Sequence, residues 1–162
     1  MKKWILFGLC AVLLTGCASQ ETFETVADEL VQSVSAPMGQ VIITRPEEAA
    51  SPVSESDCGT LYQCDGYEIM LQTLPAGDLN ATIQSLSGYS RSYVTVMETN
   101  ANDWKRYEFV WVSAGEHGEC LGNAVILDDG SYHYCLSVLG DADRTEEFEA
   151  DWEAMFDSFA LG

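Results

Sequence analysis

Apolar and polar residues follow a helical period near both ends of this chain of 162 residues. Between residues 23 and 34, apolar side chains recur at the spacing of helical turns with acidic side chains opposite them, which predicts an amphipathic helix. Residues 145–159 show the same period and predict a second helix. Its apolar stripe consists of Phe148, Trp152, Met155 and Phe159. Asp143 and Glu146 lie at the spacing of a capping box, so we expect this helix to begin there.

Between these two segments the period shortens to two residues, which predicts strands. Single strands are expected at 40–44, 92–98 and 105–113, and two hairpins pair 59–64 with 67–74 and 123–128 with 131–139. The hairpins turn at Asp65-Gly66 and Asp129-Gly130. An Asp-Gly pair favours a type I′ turn, in which both central residues have a positive φ. The intervening residues 45–57 contain two prolines and predict a loop.

A third helix is expected to begin after an N-cap at Asp78, to run through Leu86 and to end at Gly88. In the strand 105–113, aromatic side chains lie on one face and branched aliphatic ones on the other. These are Tyr107, Phe109 and Trp111 against Val110 and Val112. Apolar residues on both faces predict a sheet covered on both sides. The pattern indicates an α+β fold, in which a single, mostly antiparallel sheet of about six or seven strands is covered by helices, like an α/β/α sandwich.

The N-terminus has the features of an export signal. Two lysines precede an apolar run from Trp4 to Leu14, which is too short to span a bilayer as a helix but matches the n- and h-regions of a signal peptide. The run ends in Leu14-Thr15-Gly16-Cys17, which resembles the lipobox of bacterial lipoproteins. A plain secretory signal with a chance cysteine, or a buried apolar helix, is the alternative.

The lipobox resemblance implies the processing of the chain. Residues 1–16 would be a signal peptide that is cleaved between Gly16 and Cys17, and Cys17 would carry a diacylglyceryl group with acyl chains such as palmitate. Two or more chains hold a protein firmly on a membrane, whereas one does not. Residues 17–21 would then be a lipidated tether and 22–162 a single domain on the extracytoplasmic face of the cell membrane.

The chain is strongly acidic. Seven basic residues face 26 acidic ones, for a formal charge of −19, and removal of residues 1–16 with their two lysines would bring it to −21. Such a surface repels nucleic acid and anionic lipid head groups, because both are bound through Lys and Arg. We therefore expect no nucleic-acid partner. The acidity favours solubility first and a specific cation-binding role second.

Four cysteines follow Cys17: Cys58, Cys64, Cys120 and Cys135. An even number in an exported chain suggests two disulfides, although unpaired thiols are the alternative. With a two-residue turn, the two cysteines of the second hairpin lie about 13 Å apart, and those of the first lie on one strand up to about 20 Å apart. A disulfide needs Cα atoms within about 7 Å, so bridges between the two hairpins are the favoured pairings.

The candidates for chemistry are two histidines and an acidic run. His117 lies beside Glu116 and Glu119 in a glycine-flanked segment where a metal is conceivable, and His133 lies between two tyrosines. The run from Asp141 fails the EF-hand pattern, because Glu146 stands where glycine is needed and Trp152 where the bidentate glutamate is needed. No nucleophile elbow, Cys-x-x-Cys or His-Glu-x-x-His motif is present. We expect no catalytic residue, metal or cofactor.

The order of elements, ending in an aromatic helix with Asp157-Ser158-Phe159, resembles the small Mog1/PsbP-like domains of bacterial lipoproteins over residues 22–161. That resemblance implies an architecture and transfers no catalytic residue. We expect a non-enzymatic cell-envelope lipoprotein that binds an unknown envelope protein or a small ligand. One alternative is a ligand- or cation-binding lipoprotein that uses acidic side chains or Trp111, Tyr132 and Tyr134. A more remote one is a small hydrolase with an unrecognised site at His117 or His133.

Overall fold

The computed structural model describes residues 38–100, 103–115 and 118–162. Within these ranges the chain forms two α-helices, α1 (Leu79–Ser87) and α2 (Thr145–Ser158). The strands are β1 (Val41–Ile42), β2 (Ser54–Ser56), β3 (Gly59–Cys64), β4 (Tyr67–Pro75), β5 (Val96–Asn100), β6 (Lys105–Ala114), β7 (Glu119–Asp128), β8 (Tyr132–Asp141) and β9 (Ala160–Leu161). The predicted signal peptide, Cys17, the helix predicted at 23–34 and His117 lie outside the described residues.

Seven of these strands form one sheet in the order β2-β3-β4-β8-β7-β6-β5. Every neighbouring pair is antiparallel. This confirms the predicted antiparallel sheet and supports the α+β class. A second, two-stranded sheet pairs β1 with β9, so that the start of the described chain is tied to its C-terminus. No helix in the described ranges is long and apolar enough to cross a membrane.

Each face of the large sheet packs against one helix, because successive side chains of a strand point to opposite faces. On the α2 face, aromatic side chains of the helix pack on β3, β4, β7 and β8. Phe148 and Trp152 stack with ring centroids 5.2 Å apart, and Tyr67 of β4 lies 4.9 Å from Phe148. On the α1 face, Ile83 of the helix packs on the aromatic side chains of β6 and on Ile126.

Helix α1 begins and ends as its sequence predicts. The Asp78 carboxylate accepts a hydrogen bond from the Asn80 backbone N–H at 2.9 Å, which satisfies one of the free donors of the first turn. At the C-terminus Gly88 adopts a φ of 77°, a left-handed conformation that favours glycine. Local sequence therefore predicts both ends of this element.

Helix α2 begins differently from the prediction. A 3-10 turn, Ala142–Arg144, precedes it, and its N-cap is Arg144, which makes no side-chain capping bond. The predicted capping box of Asp143 and Glu146 is therefore wrong. Instead, the Arg144 guanidinium donates to the carboxylates of Glu147 and Asp65 and so ties the first turn of α2 to the β3–β4 turn. The four residues of the predicted apolar stripe are all buried.

The C-terminus of α2 is held by an arginine of the sheet. Arg106 of β6 donates hydrogen bonds to the backbone carbonyls of Phe156 at 2.7 Å and Phe159 at 2.9 Å. It also donates to the Glu108 carboxylate. The last carbonyls of a helix have no partner within it and carry the negative end of its dipole, so a guanidinium there satisfies both.

The first Asp-Gly hairpin has the predicted register but another turn type. Cys64 pairs with Tyr67, which leaves a two-residue turn. Among the described residues only glycines have a positive φ, so Asp65 does not, whereas Gly66 has a φ of 87°. A type I′ turn needs a positive φ at both positions, and that prediction is wrong.

The second hairpin differs in register by two residues. Asp128 pairs with His133, which makes a four-residue turn. The cause is the Asp129 carboxylate, which accepts hydrogen bonds from the backbone N–H groups of Ser131 at 2.8 Å and Tyr132 at 2.7 Å and thereby widens the turn. Burial raises the pKa of Asp129, but these N–H donors outweigh it and hold the pKa below its usual value.

Some predicted boundaries also shift. The strand expected at 92–98 begins only at Val96, because residues 91–93 form a 3-10 turn. The loop expected at 45–57 contains another such turn at residues 47–49 and the short strand β2. The late start of β5 leaves part of its neighbour β6 unpaired.

Candidate functional site

The unpaired part of β6 is its C-terminal half. Val96, the first residue of β5, pairs with Phe109, so Val110–Ala114 has no strand on that side within the described residues. On this open side of β6, the Tyr89 hydroxyl donates a hydrogen bond of 2.9 Å to the backbone carbonyl of Val112. In a strand, the N–H and C=O of one residue point to the same side and alternate along the chain. The peptide groups of alternate residues, at 110, 112 and 114, therefore point away from β7 with no described strand beside them, and of these the Val112 carbonyl is bonded to Tyr89. We call residues 110–114 the open edge.

Two valines of the open edge are exposed. Val110 is 55 % and Val112 is 49 % exposed, and both point to the α2 face. The predicted covering of the sheet on both sides is wrong here. The reason is the position of α2: the buried cluster beneath it draws on β3, β4, β7 and β8 but includes no described residue of β6.

A groove of about 400 Å³ runs between the open edge and α2. Its floor is apolar and its rim is acidic. The floor is formed by Val110, Leu121, Trp152 and Phe156, and the rim by Glu149, Glu153 and Asp157. The remaining lining residues are uncharged, so nothing within the groove neutralises these carboxylates. We call this the edge groove.

A second groove, of about 270 Å³, lies on the α1 face beside the helix. Trp111, Leu86, Met70 and Leu139 contribute its apolar lining. Of the three aromatic residues predicted as a ligand site, only Trp111 lies here. Tyr132 and Tyr134 pack on the opposite face, in the α2 cluster. The three therefore do not form one site.

His133 lies under α1 in a row of polar side chains. Its Nδ1 is 2.7 Å from the Thr82 hydroxyl and its Nε2 is 3.8 Å from an Asp128 carboxylate oxygen. Hydroxyl, imidazole and carboxylate follow in the order used for nucleophilic catalysis. However, His133 is only 1 % and Thr82 only 7 % exposed, so a substrate has no path to the hydroxyl. Burial lowers the pKa of His133, although Asp128 and Asp129 oppose this.

All four described cysteines are free thiols. The predicted bridges between the hairpins are not formed, because β3 is two strands from β8 and three from β7. Those separations are about 9.6 and 14 Å, beyond the reach of a disulfide. Within the second hairpin, Cys135 pairs with Ile126 and not with Ala124, which puts Cys120 six residues away. Burial raises the pKa of Cys135 to about 12.

The acidic run before α2 is accompanied by a basic side chain. Asp141, Asp143 and Glu119 line one cavity, and Arg144 lines it with them. Among the described residues no three His, Cys, Asp or Glu side chains are arranged to hold a metal ion. Glu116 and His117, the other candidate ligands, lie outside those residues.

Comparisons with known proteins give a distant structural likeness. No protein family matches the chain, and a search of curated proteins finds no significant match. Among solved structures, the fold is similar to that of LpqN from Mycobacterium tuberculosis, which is involved in cell envelope biogenesis. The TM-score is 0.48 at 10 % identity, over 78 % of this chain and 87 % of that one. The resemblance to Mog1/PsbP-like domains stays a prediction.

Proposed function

We propose that this protein is a lipid-anchored module of the cell envelope that binds a partner protein at the open edge of β6. The observation that carries the proposal is the pair of exposed valines on a stretch of β6 that has no strand on one side within the described part of the chain. Natural sheets protect their edges with charges, prolines or short strands, because an unprotected edge pairs with other chains. An apolar, unpaired edge is therefore typical of a binding surface.

The anchor is supported by the lipobox at Leu14–Cys17. Its test is the intact mass and the membrane fractionation of the protein in its own cells. We expect a chain that begins at Cys17, carries a diacylglyceryl group and sediments with membranes. Cys17→Ser should remove the lipid from the intact mass, whereas Cys10→Ser, within the preceding apolar run, is the matched control and should change nothing. A Cys17→Ser variant that still carries the added lipid mass would refute the anchor.

We propose binding in preference to catalysis because His133, the histidine among the described residues, is buried. A general base must reach its substrate within hydrogen-bond distance, and the His133 imidazole has Thr82 on one nitrogen and the carboxylate of Asp128 nearest the other. Its depressed pKa follows from burial and fits a structural role equally well.

The binding surface is tested by crosslinking in living cells. A photoreactive amino acid replaces Val112, and a matched variant carries it at Val53, which is 60 % exposed and lies near the opposite end of the sheet. We expect one identified envelope protein to be crosslinked at position 112 and not at 53. Equal crosslinking at both positions, or none at either, would refute the proposal.

A second candidate function is the binding of a small amphiphile in the α1-face groove. It is favoured by the groove's mixed lining, in which the Trp111 indole lies beside Ser85, Ser113 and Ser137. Such a ligand should raise the melting temperature and change tryptophan fluorescence. Ser85→Tyr, which fills the groove from the exposed side of α1, should abolish both effects. A ligand whose effects survive that change binds elsewhere.

A further inference from the structure

We infer that the occupant of the open edge is an extended, basic segment of a partner protein, which adds to the sheet as a strand beside β6. This inference rests on the proposed function and specifies the chemistry of the partner. It combines the unpaired peptide groups, the exposed valines and the uncompensated acidic rim of the edge groove.

The backbone of the open edge requires an extended ligand. Outward-facing peptide groups recur at every second residue of β6. This spacing matches that of the peptide groups on a neighbouring strand, whether antiparallel or parallel. The Tyr89 hydroxyl occupies one of these groups, the carbonyl of Val112, and an added strand would take its place there. A helix cannot bond such a row, because its own N–H and C=O groups are used internally. Strand addition is the recognition mode that uses main-chain bonds for affinity and alternate side chains for specificity.

The edge groove determines which side chains the partner carries on that face. A strand added beside β6 points every second side chain toward the α2 face, next to Val110 and Val112. There it meets an apolar floor and then the carboxylates of Glu149 and Glu153. Lysine and arginine fit both, because their aliphatic stems cover apolar surface while their charged ends reach outward. The partner segment therefore alternates basic residues with small or apolar ones.

Charge also excludes a second copy of this chain as the occupant. Pairing of two open edges would bring both acidic rims together, between molecules that each carry a formal charge of −19. Like charges brought face to face across an interface oppose association. A basic segment removes this penalty and is drawn to the edge at low ionic strength.

The test uses the full-length chain extracted from membranes and three synthetic peptides. One alternates lysine with valine, the second alternates glutamate with valine, and the third is the lysine peptide with prolines at alternate positions. We expect only the first to bind, with an affinity that falls as salt is added. Proline removes the N–H that strand addition needs, so binding of the third peptide would show a merely ionic contact and overturn the inference.

Variants of the protein locate the binding. Val112→Lys should weaken the binding of the lysine peptide by about tenfold or more, whereas the matched Val53→Lys should leave it unchanged. The double change Glu149→Lys with Glu153→Lys should do the same, against a control of Glu47→Lys with Glu55→Lys, which has the same charge change elsewhere on the surface. Thermal melts check that all four variants fold. Equal losses in test and control variants would overturn the inference.

The outcomes separate this inference from the proposed function. If crosslinks form at position 112 in cells but the lysine peptide fails to bind, the edge is a binding surface for another class of partner. If the chain instead forms dimers, and Val112→Lys makes them dissociate, the occupant is a second copy. If the peptide binds but no crosslink forms in cells, the edge has the chemistry inferred here and the proposed function fails.

Discussion

Gly122 of β7 offers a sharp test of how the sheet is packed. It pairs with Trp111 of β6, and the indole occupies the space beside the glycine where a Cβ would lie. A Cβ added at Gly122 would lie 2.1 Å from Cε2, 2.3 Å from Cζ2 and 2.5 Å from Cδ2 of that indole. These are rigid ring atoms, so the whole side chain must move. Gly122→Ala therefore converts a well-packed tryptophan into a displaced one.

The cost follows from two limits. Overpacking a core costs about 1–3 kcal/mol, and the full loss of a buried tryptophan costs about 3–5 kcal/mol. Because displacement of the indole lies between these cases, we expect Gly122→Ala to lower the free energy of unfolding by about 3 kcal/mol. In urea, with a slope of about 1–3 kcal/mol per molar, the midpoint should fall by at least about 1 M.

A double-mutant cycle isolates the contact. In a Trp111→Val background, Gly122→Ala should cost less than about 1 kcal/mol or stabilise slightly, because glycine weakens a strand interior. Gly77→Ala is the control, since an added Cβ there meets nothing within 4 Å. An equal cost of Gly122→Ala in both backgrounds would refute the reasoning, as would a comparable loss from Gly77→Ala.

Three further predictions concern buried side chains. Trp152→Ala should cost about 3–5 kcal/mol by urea denaturation, because its ring packs on Phe148 and Tyr67, whereas a loss below 1 kcal/mol would contradict this packing. Burial holds the pKa of His133 below the unfolded value of about 6.5, so its contribution to stability is complete above that pH and is lost as the pH falls toward the folded pKa. His133→Gln should flatten this part of the curve of unfolding free energy against pH. If the native protein and the variant differ by the same free energy at every pH, the prediction is contradicted. Finally, Ellman's reagent should modify the exposed Cys58 in the folded protein and Cys135 only after unfolding, and equal rates would show that Cys135 is not buried.

The elements that sequence predicts well are those determined by local chemistry. Helix α1 has an aspartate at its N-cap and a glycine at its C-terminus, and the structure uses both. The aromatic face of β6 follows directly from the two-residue period, since Tyr107, Phe109 and Trp111 are all buried. In both cases, neighbouring residues in the sequence are enough to predict the element.

The errors arise where tertiary contacts compete with local preference. Asp129 binds two backbone N–H groups and widens a turn that Asp-Gly alone would make tighter. Arg144 takes the place of a capping box because Asp65 and Glu147 hold its guanidinium. The open edge could not be foreseen, because it depends on where β5 starts relative to β6 and on how far α2 extends across the sheet. The exposure of Val110 and Val112 is a property of that assembly.

The two edges of the sheet have different consequences for how the protein behaves in bulk solution. At one side the sheet ends in β2, three exposed polar residues that offer little to another chain. At the other side the open edge is apolar, and mutual repulsion between acidic molecules keeps copies apart. That repulsion vanishes near the sequence isoelectric point of about 4.1. The colloidal stability of the protein is thus a function of pH, and we expect mild acid to make the apolar open edge a site of precipitation.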